Sequence, residues 1–246
     1  MKKLLIITGG NKGIGKGIVK AYKQAGYKII SIARTKNQET FYADLNQIEF
    51  DLNLTEQVST VIEKIFSELN FSDLDSITLL NNSGTLGEIT TLENKSTEDI
   101  EQSFKLNTIA PFILTSSFIK LTENFTGRKK IINISSGAST NAYFGWSTYS
   151  ASKAAIDMLT KSVAVEQADE KYPVNIIAIS PGVVDTDMQA KIRQSDEKDF
   201  KDVAKFIDYK NNGGLASAEQ VGEEIYFIDH SEKYKTGTHA NVRDLR

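Results

Sequence analysis

The feature that most constrains this chain is a short apolar run that breaks into glycines and resumes as a helix. Residues 4–8 are continuously apolar up to Thr8 and rich in β-branched side chains. That is the pattern of a strand buried on both faces of a parallel sheet. Thr8-Gly9-Gly10-Asn11-Lys12-Gly13-Ile14-Gly15 follows, and Ile14, Ile18 and Tyr22 then recur at intervals of four until Gly26 ends the helix. A glycine turn in this setting is tight and lets backbone come close to a pyrophosphate. The helix start adds free N–H groups and the positive end of a dipole. The turn therefore points to a dinucleotide, contacted by Gly9, Asn11, Lys12, Gly13, Ile14 and Gly15.

The same alternation continues. Further strands are predicted over 28–33, more weakly over 47–50, then over 76–81, 130–135 and 174–179, with an edge strand within 236–242. Between them, 55–69 carries Val58, Val61, Ile62, Ile65, Phe66 and Leu69 on one helical stripe. Residues 97–124 read as a long helix that Pro111 is expected to kink or divide. Residues 147–166 read as a helix with small and apolar residues at Ala151, Ala154, Ala155, Met158, Leu159, Ser162 and Val165. Residues 186–214 are more charged, space Met188, Ile192, Phe200, Val203, Phe206 and Ile207 as helices do, and close on Asn211-Asn212-Gly213-Gly214. Ser217-x-x-Gln220 reads as a capping box. Alternation from end to end implies one α/β layer structure, a parallel sheet with right-handed crossovers, in a single domain spanning 1–246.

Charge and composition narrow the function. A net charge of -3 argues against a general nucleic-acid binder. Without cysteine there is no disulfide, thiol catalysis or thiolate metal site. The apolar start is too short for a signal peptide and no stretch reaches the ~20 residues of a membrane span, so a soluble cytoplasmic protein is expected. His230 and His239 lie in no cluster with ligand spacing, and no metal is expected.

Chemistry enters at Tyr149-Ser150-Ala151-Ser152-Lys153. A tyrosine and a lysine four apart lie one above the other on a helix. A free phenol titrates near ~10, and a nearby ammonium favours the phenolate. A tyrosine tuned in this way can exchange a proton with a substrate oxygen. At the end of the second strand, Ala33-Arg34-Thr35-Lys36 lacks the acidic residue that would bind the ribose 2′-hydroxyl of NAD. Arg34, with Lys12 in the turn, suits a 2′-phosphate, so NADP(H) is the expected cofactor.

With these motifs in order, the chain resembles the short-chain dehydrogenases/reductases, over essentially its whole length. The likeness is carried by Thr8-Gly9-x-x-x-Gly13-x-Gly15, Asp51-Leu52, Asn81-Asn82-Ser83-Gly84, Asn107, Ser136, Tyr149, Lys153 and Pro181-Gly182-Val183-Val184-Asp185-Thr186. Ser83 stands where the family has alanine. The resemblance implies a doubly wound Rossmann fold, a parallel seven-stranded sheet with helices on both faces. It implies a catalytic tetrad of Asn107, Ser136, Tyr149 and Lys153. Tyr149 would protonate the alkoxide, Ser136 would stabilise it, Lys153 would bind the nicotinamide ribose and hold the tyrosine pKa down, and Asn107 would hold a relay water. The implied cofactor contacts beyond the glycine turn are Arg34, Thr35, Asp51, Leu52, Asn82, Ser83, Gly84, Tyr149, Lys153, Pro181, Gly182, Val184 and Thr186. It implies a homodimer or homotetramer through the helices bearing Asn107 and Tyr149, and a substrate lid over 186–214.

Around Tyr149 and after Pro181 the text is similar to the sepiapterin reductase branch, especially its bacterial benzil-reducing members. That likeness implies reduction of an aromatic 1,2-diketone in a pocket lined by Ser136, Tyr143, Trp146, Tyr149, Met188 and Asn241, with Phe144 alongside. Asn241 takes the place of the aspartate that anchors pterins, which favours a general diketone over a pterin. A 3-oxoacyl thioester reductase and a non-catalytic NADP sensor are the alternatives. The first usually wants a basic surface, and the second tends to lose the tyrosine or lysine.

Overall fold

The computed structural model describes residues 2–245. Seven strands form one sheet: β1 (Lys3–Thr8), β2 (Tyr27–Ala33), β3 (Asn46–Glu49), β4 (Ser76–Asn81), β5 (Arg128–Ile134), β6 (Asn175–Ser180) and β7 (His239–Asn241). Their order is β3-β2-β1-β4-β5-β6-β7, and every neighbouring pair is parallel. The chain leaves β1 towards β2 on one side and returns to β4 on the other. Beyond the carboxyl ends of β1 and β4 this reversal opens the crevice where such sheets bind ligands.

Eight α-helices complete the layers: α1 (Gly13–Gln24), α2 (Val58–Ser67), α3 (Thr97–Phe104), α4 (Ala110–Leu121), α5 (Ser147–Glu166), α6 (Asp187–Arg193), α7 (Val203–Asn211) and α8 (Ala218–His230). Strand side chains alternate between faces, so the apolar runs feed two cores. Leu4, Ile6, Ile77, Leu79 and Ile131 pack with Ile62, Phe66, Phe118 and Ile156 of α2, α4 and α5. Leu5, Ile7, Leu80, Ile132 and Ile177 pack with Ile18, Tyr22, Val221 and Ile225 of α1 and α8. Each such fully buried aliphatic side chain contributes about 1.5–3 kcal/mol.

Two glycines allow α1 and α8 to meet backbone to backbone. A Cβ on Gly17 would lie 1.8 Å from the Ala218 carbonyl oxygen, and one on Gly222 would lie 2.2 Å from the Gly17 carbonyl carbon. At the amino-terminal end of β5, the buried Asp229 carboxylate ties α8 to the sheet. It pairs with Arg128 Nη2 at 2.6 Å and Lys130 Nζ at 3.2 Å, and accepts a 2.7 Å hydrogen bond from Tyr22 OH.

Three elements differ from their sequence reading. The chain stays helical from α3 to α4, but residues Lys105–Ile109 widen into a π turn in which Ala110 N donates to Lys105 O. Pro111 lies in the first turn of α4. It has no N–H to give the Asn107 carbonyl four residues earlier, so the winding loosens ahead of the proline. In α5 the protein-facing side carries Tyr149, Ser152, Lys153, Ile156, Asp157, Thr160 and Val163. Ala151, Ala154, Met158, Ser162 and Val165 of the small and apolar stripe face outward. Ser217 Oγ caps α8 by accepting from Gln220 N at 3.1 Å, but the Gln220 amide donates to Glu224, so only half of the box forms.

Candidate active site

The glycine turn is laced to the neighbouring strand. Thr8 Oγ1 accepts from the backbone N of Asn82 and of Ser83, each at 3.0 Å, and the Asn82 amide donates to Thr8 O and Gly9 O at 3.0 Å. Gly9 and Gly13 hold φ of 67° and 51°, which disfavour any side chain. A Cβ on Gly15 would fall 2.0 Å from Gly9 O. Gly13 faces Thr186, whose methyl lies 3.4 Å from where a Cβ would be. The first turn of α1 has no side-chain cap and no acidic residue, so Lys12, Ile14 and their neighbours border amides open to an anion. These observations fit a dinucleotide pyrophosphate.

Beyond β2, Asn11 Nδ2 donates to Thr35 O at 2.6 Å, and Asn37 Nδ2 donates to Asn11 O at 2.8 Å. Arg34, Thr35, Lys36 and Lys12 are all exposed around this hinge. The nearest acid in sequence, Glu39, is taken up by Lys16 at 2.7 Å. Asp51 is half-buried, its Oδ1 accepting from Asn53 N at 3.0 Å, and Leu52 is buried beside the β2 core.

On the other side of the crevice stand the groups with proton chemistry. Asn107 is buried and clamps the loop after Gly84. Its Oδ1 accepts from Thr85 N at 2.8 Å, and its Nδ2 donates to Thr85 O at 2.8 Å and to Ser152 Oγ at 3.1 Å. Ser136 leaves β5 in extended backbone, and its Oγ accepts from Ala138 N at 3.1 Å. Tyr149 is buried, and burial raises its phenol pKa while a hydrogen bond with Ser136 pulls it back. Lys153 Nζ stands 5.8 Å from the Tyr149 ring and donates to Ile134 O at 2.8 Å. Burial lowers its pKa to about 8, against a Coulombic rise from Asp157. A Cβ on Gly84 would lie 3.5 Å from Lys153 Nζ, so the glycine motif and the lysine share one wall. Here the structure corrects one expectation. Desolvation dominates at Tyr149 and Ser136 is the group that offsets it, whereas the Lys153 ammonium was expected to hold the phenol down.

Above Tyr149, α6 and α7 fold back over the site. Trp146 is 5% exposed and stacks on Phe200, centroids 4.8 Å apart and 4° from parallel. Tyr143 and Tyr149 flank it at 4.9 and 5.7 Å, and Phe206 packs edge-on at 5.5 Å. Met188 joins this cluster, while Phe144 lies outside it under the Lys201 ammonium. Lys191 Nζ donates to Gly87 O at 2.7 Å and Thr90 Oγ1 to Asp199 Oδ1 at 3.3 Å, tying α6 and the connection between α6 and α7 to the loop after β4. Pro181 is buried, Gly182 holds φ 73°, and Val184 pairs with Ala216 in a parallel bridge. Thr186 caps α6. Asn241 pairs with Ser180 across β6 and β7, and its Oδ1 accepts from Arg243 N at 3.0 Å.

Sequence reading passed over two groups behind this site. Asp157 belongs to no motif and His239 to no ligand-spaced cluster, yet His239 Nδ1 lies 2.9 Å from Asp157 Oδ2. The one available signal was the spacing of four between Lys153 and Asp157. Phe200 and Phe206 were read as helix-spaced residues, with no sign that they would meet Trp146. Among the described residues no group of three or more His, Asp or Glu could hold a metal ion, and no helix is long and apolar enough to cross a membrane.

Comparison with known proteins agrees with this geometry. The chain is 36% identical over 241 residues to a benzil reductase ((S)-benzoin forming) of Bacillus cereus, covering 96% of this chain and 97% of that one. It is 37% identical to the protein of the same name from Bacillus subtilis, covering 89% and 90%. Among solved structures, ElxO with NADP bound superposes with a TM-score of 0.79 at 26% identity, covering 98% of this chain and 97% of that one. The family model described as short chain dehydrogenase matches residues 3–197. With that match across most of its length, and a glycine turn facing buried Tyr149 and Lys153 with Ser136 beside them, the chain belongs to the short chain dehydrogenase family of oxidoreductases.

Proposed function

We propose that this protein reduces one carbonyl of an aryl-substituted 1,2-dicarbonyl at the expense of NADPH. The observation that carries the reading is the meeting of Tyr149 with Ser136 beneath the Trp146 aromatic cluster, with Lys153 against Gly84. Aromatic walls with few polar groups suit a flat conjugated substrate. The two Bacillus relatives, similar over nearly the whole chain, bear the benzil reductase name.

Bound NADPH supplies the hydride. The residues of this chain do the rest. Tyr149 gives its phenolic proton to the developing alkoxide. Ser136 donates a hydrogen bond to the same oxygen and spreads its charge. Lys153 holds the nicotinamide ribose. Asn107 sets the loop through Thr85 and, through its backbone carbonyl, orders a relay water. Arg34 with Lys12 favours the 2′-phosphate of NADP(H), since no acid at the end of β2 competes for a ribose hydroxyl. Residues 186–214 close over the substrate and exclude water. The protein works as a homodimer or homotetramer joined through α4 and α5.

The test is NADPH oxidation by purified protein with benzil, phenylpropanedione, sepiapterin and an acetoacetyl thioester, each repeated with NADH. Fast turnover of the two diketones, at least about tenfold faster with NADPH than NADH, is the expected result. Turnover of the thioester alone would move the enzyme to acyl-chain chemistry. Preference for NADH would remove the role given to Arg34.

A further inference from the structure

Behind the catalytic lysine lies a buried carboxylate that the reaction above does not use. Asp157 is 7% exposed and stands one helical turn beyond Lys153 on the inner face of α5. His239, on β7, places Nδ1 2.9 Å from Asp157 Oδ2, and its Nε2 lies 2.8 Å from Ser180 Oγ. One imidazole therefore bridges α5 to the end of β6, where the chain enters Pro181-Gly182. The Ser135 and Ser139 side chains, on either side of Ser136, also favour the ionised Asp157. The carboxylate is thus fixed between α5, which carries it, and His239 of β7.

The groups that face Lys153 are few. On its own helix they are Tyr149 and Asp157; from the end of β5, the Ile134 carbonyl; from the loop after β4, Gly84; from β7, His239 acting through Asp157. Burial works against the ammonium, and Asp157 is the one charge that works for it. It does so across space, one turn away, because its own close partner is His239.

We propose that Asp157 is a positioning residue, fixed by His239, whose buried negative charge keeps Lys153 an ammonium under the conditions in which Tyr149 delivers its proton. This rests on the carbonyl-reductase reading for its consequence in turnover, but not for the state of the lysine. The bland account is that Asp157 and His239 merely staple β7 to α5. A staple leaves the lysine titration where it is; a positioning charge moves it.

The experiment uses full-length protein labelled with ¹³Cε-lysine, with the Lys153 signal assigned from Lys153→Met. The titration of that signal is followed in wild type, Asp157→Asn and Asp157→Glu, beside the alkaline limb of kcat/KM for benzil. Asp157→Asn is expected to lower the Lys153 midpoint by about one pH unit, the scale of a lost neighbouring charge. The alkaline limb should fall with it, while KM for benzil changes by less than about threefold. Asp157→Glu, which keeps the charge, should bring the midpoint back. A folded Asp157→Asn protein with an unmoved midpoint overturns the proposal. If the midpoint moves but wild type reduces no carbonyl, the lysine assignment stands and the reaction assigned above falls. Should Asp157→Asn not fold, Asp157→Ser takes its place. Loss of the fold in both would make the carboxylate structural and end the proposal.

Discussion

Tyr149 keeps its proton because it is buried, and Lys153 is ready to lose its own for the same reason. Desolvation disfavours the charged form of each, and the two charged forms have opposite sign. The expected pH dependence follows. Reduction needs the phenol protonated and the ammonium present. Both hold at neutral pH, and the ammonium is lost as pH rises through about 8. Steady-state kcat/KM for the carbonyl should be level below that point and fall about tenfold per unit above it. Tyr149→Phe removes the proton donor and leaves the crevice intact. Turnover should drop by about 10²–10⁴ while NADPH still binds, as read by quenching of Trp146 fluorescence or calorimetry. The tyrosine and lysine were legible from their spacing alone, since four residues on a helix bring two side chains together. Asp157 was not. A carboxylate four residues after a lysine is an everyday pattern, and its partner His239 is distant in sequence and arrives only through the β6–β7 pairing.

Elements were legible where one physical signal dominated. The central strands announced themselves because a strand covered on both faces is apolar throughout. The three-residue strand β7 has no such run; it falls inside the edge strand expected within 236–242, and its pairing with β6 sets its bounds. The helix over 97–124 was read whole, but not its π turn, because a missing donor at Pro111 predicts a disturbance without saying how the winding absorbs it. Helix α5 shows the limit of periodicity. Its small and apolar stripe was visible, and nothing in a single period says whether that stripe points in or out. The contact of α1 with α8 gives a sharp prediction. Gly17→Ala drives a methyl into the Ala218 carbonyl, with no flexible side chain to give way. Overpacking of this kind is destabilising by about 1–3 kcal/mol. For a domain of this size that lowers Tm by about 2–12 °C in a thermal scan. Helices α6 and α7 offer another. Lys191→Met removes the bond to Gly87 O at the outer edge of the site. KM for the carbonyl should rise by about fivefold with kcat nearly unchanged, as loss of uniform binding would produce.

At the scale of the molecule, the outward stripe of α5 is the surface to explain. Met158 and Val165 are 60% and 77% exposed, and Ile109 and Phe112 at the start of α4 are each 41% exposed. Apolar side chains grouped along two adjacent helices mark an association surface. Light scattering on a sizing column should give a dimer or tetramer, and Met158→Glu should shift it towards monomer. Monomer at micromolar wild-type concentration would refute that assembly. The doubly wound architecture was legible as a whole because alternation of strand and helix leaves few alternatives. The pairing of α1 with α8 has a consequence in time as well as in space. The apolar face of α1 is made early, and its cover is made only after six strands have left the ribosome. A nascent chain stopped anywhere before α8 therefore carries the glycine turn on a helix whose α8-facing side is uncovered. Truncations ending near residue 214 should collect as aggregates during synthesis, whereas the chain extended through α8 should be released folded.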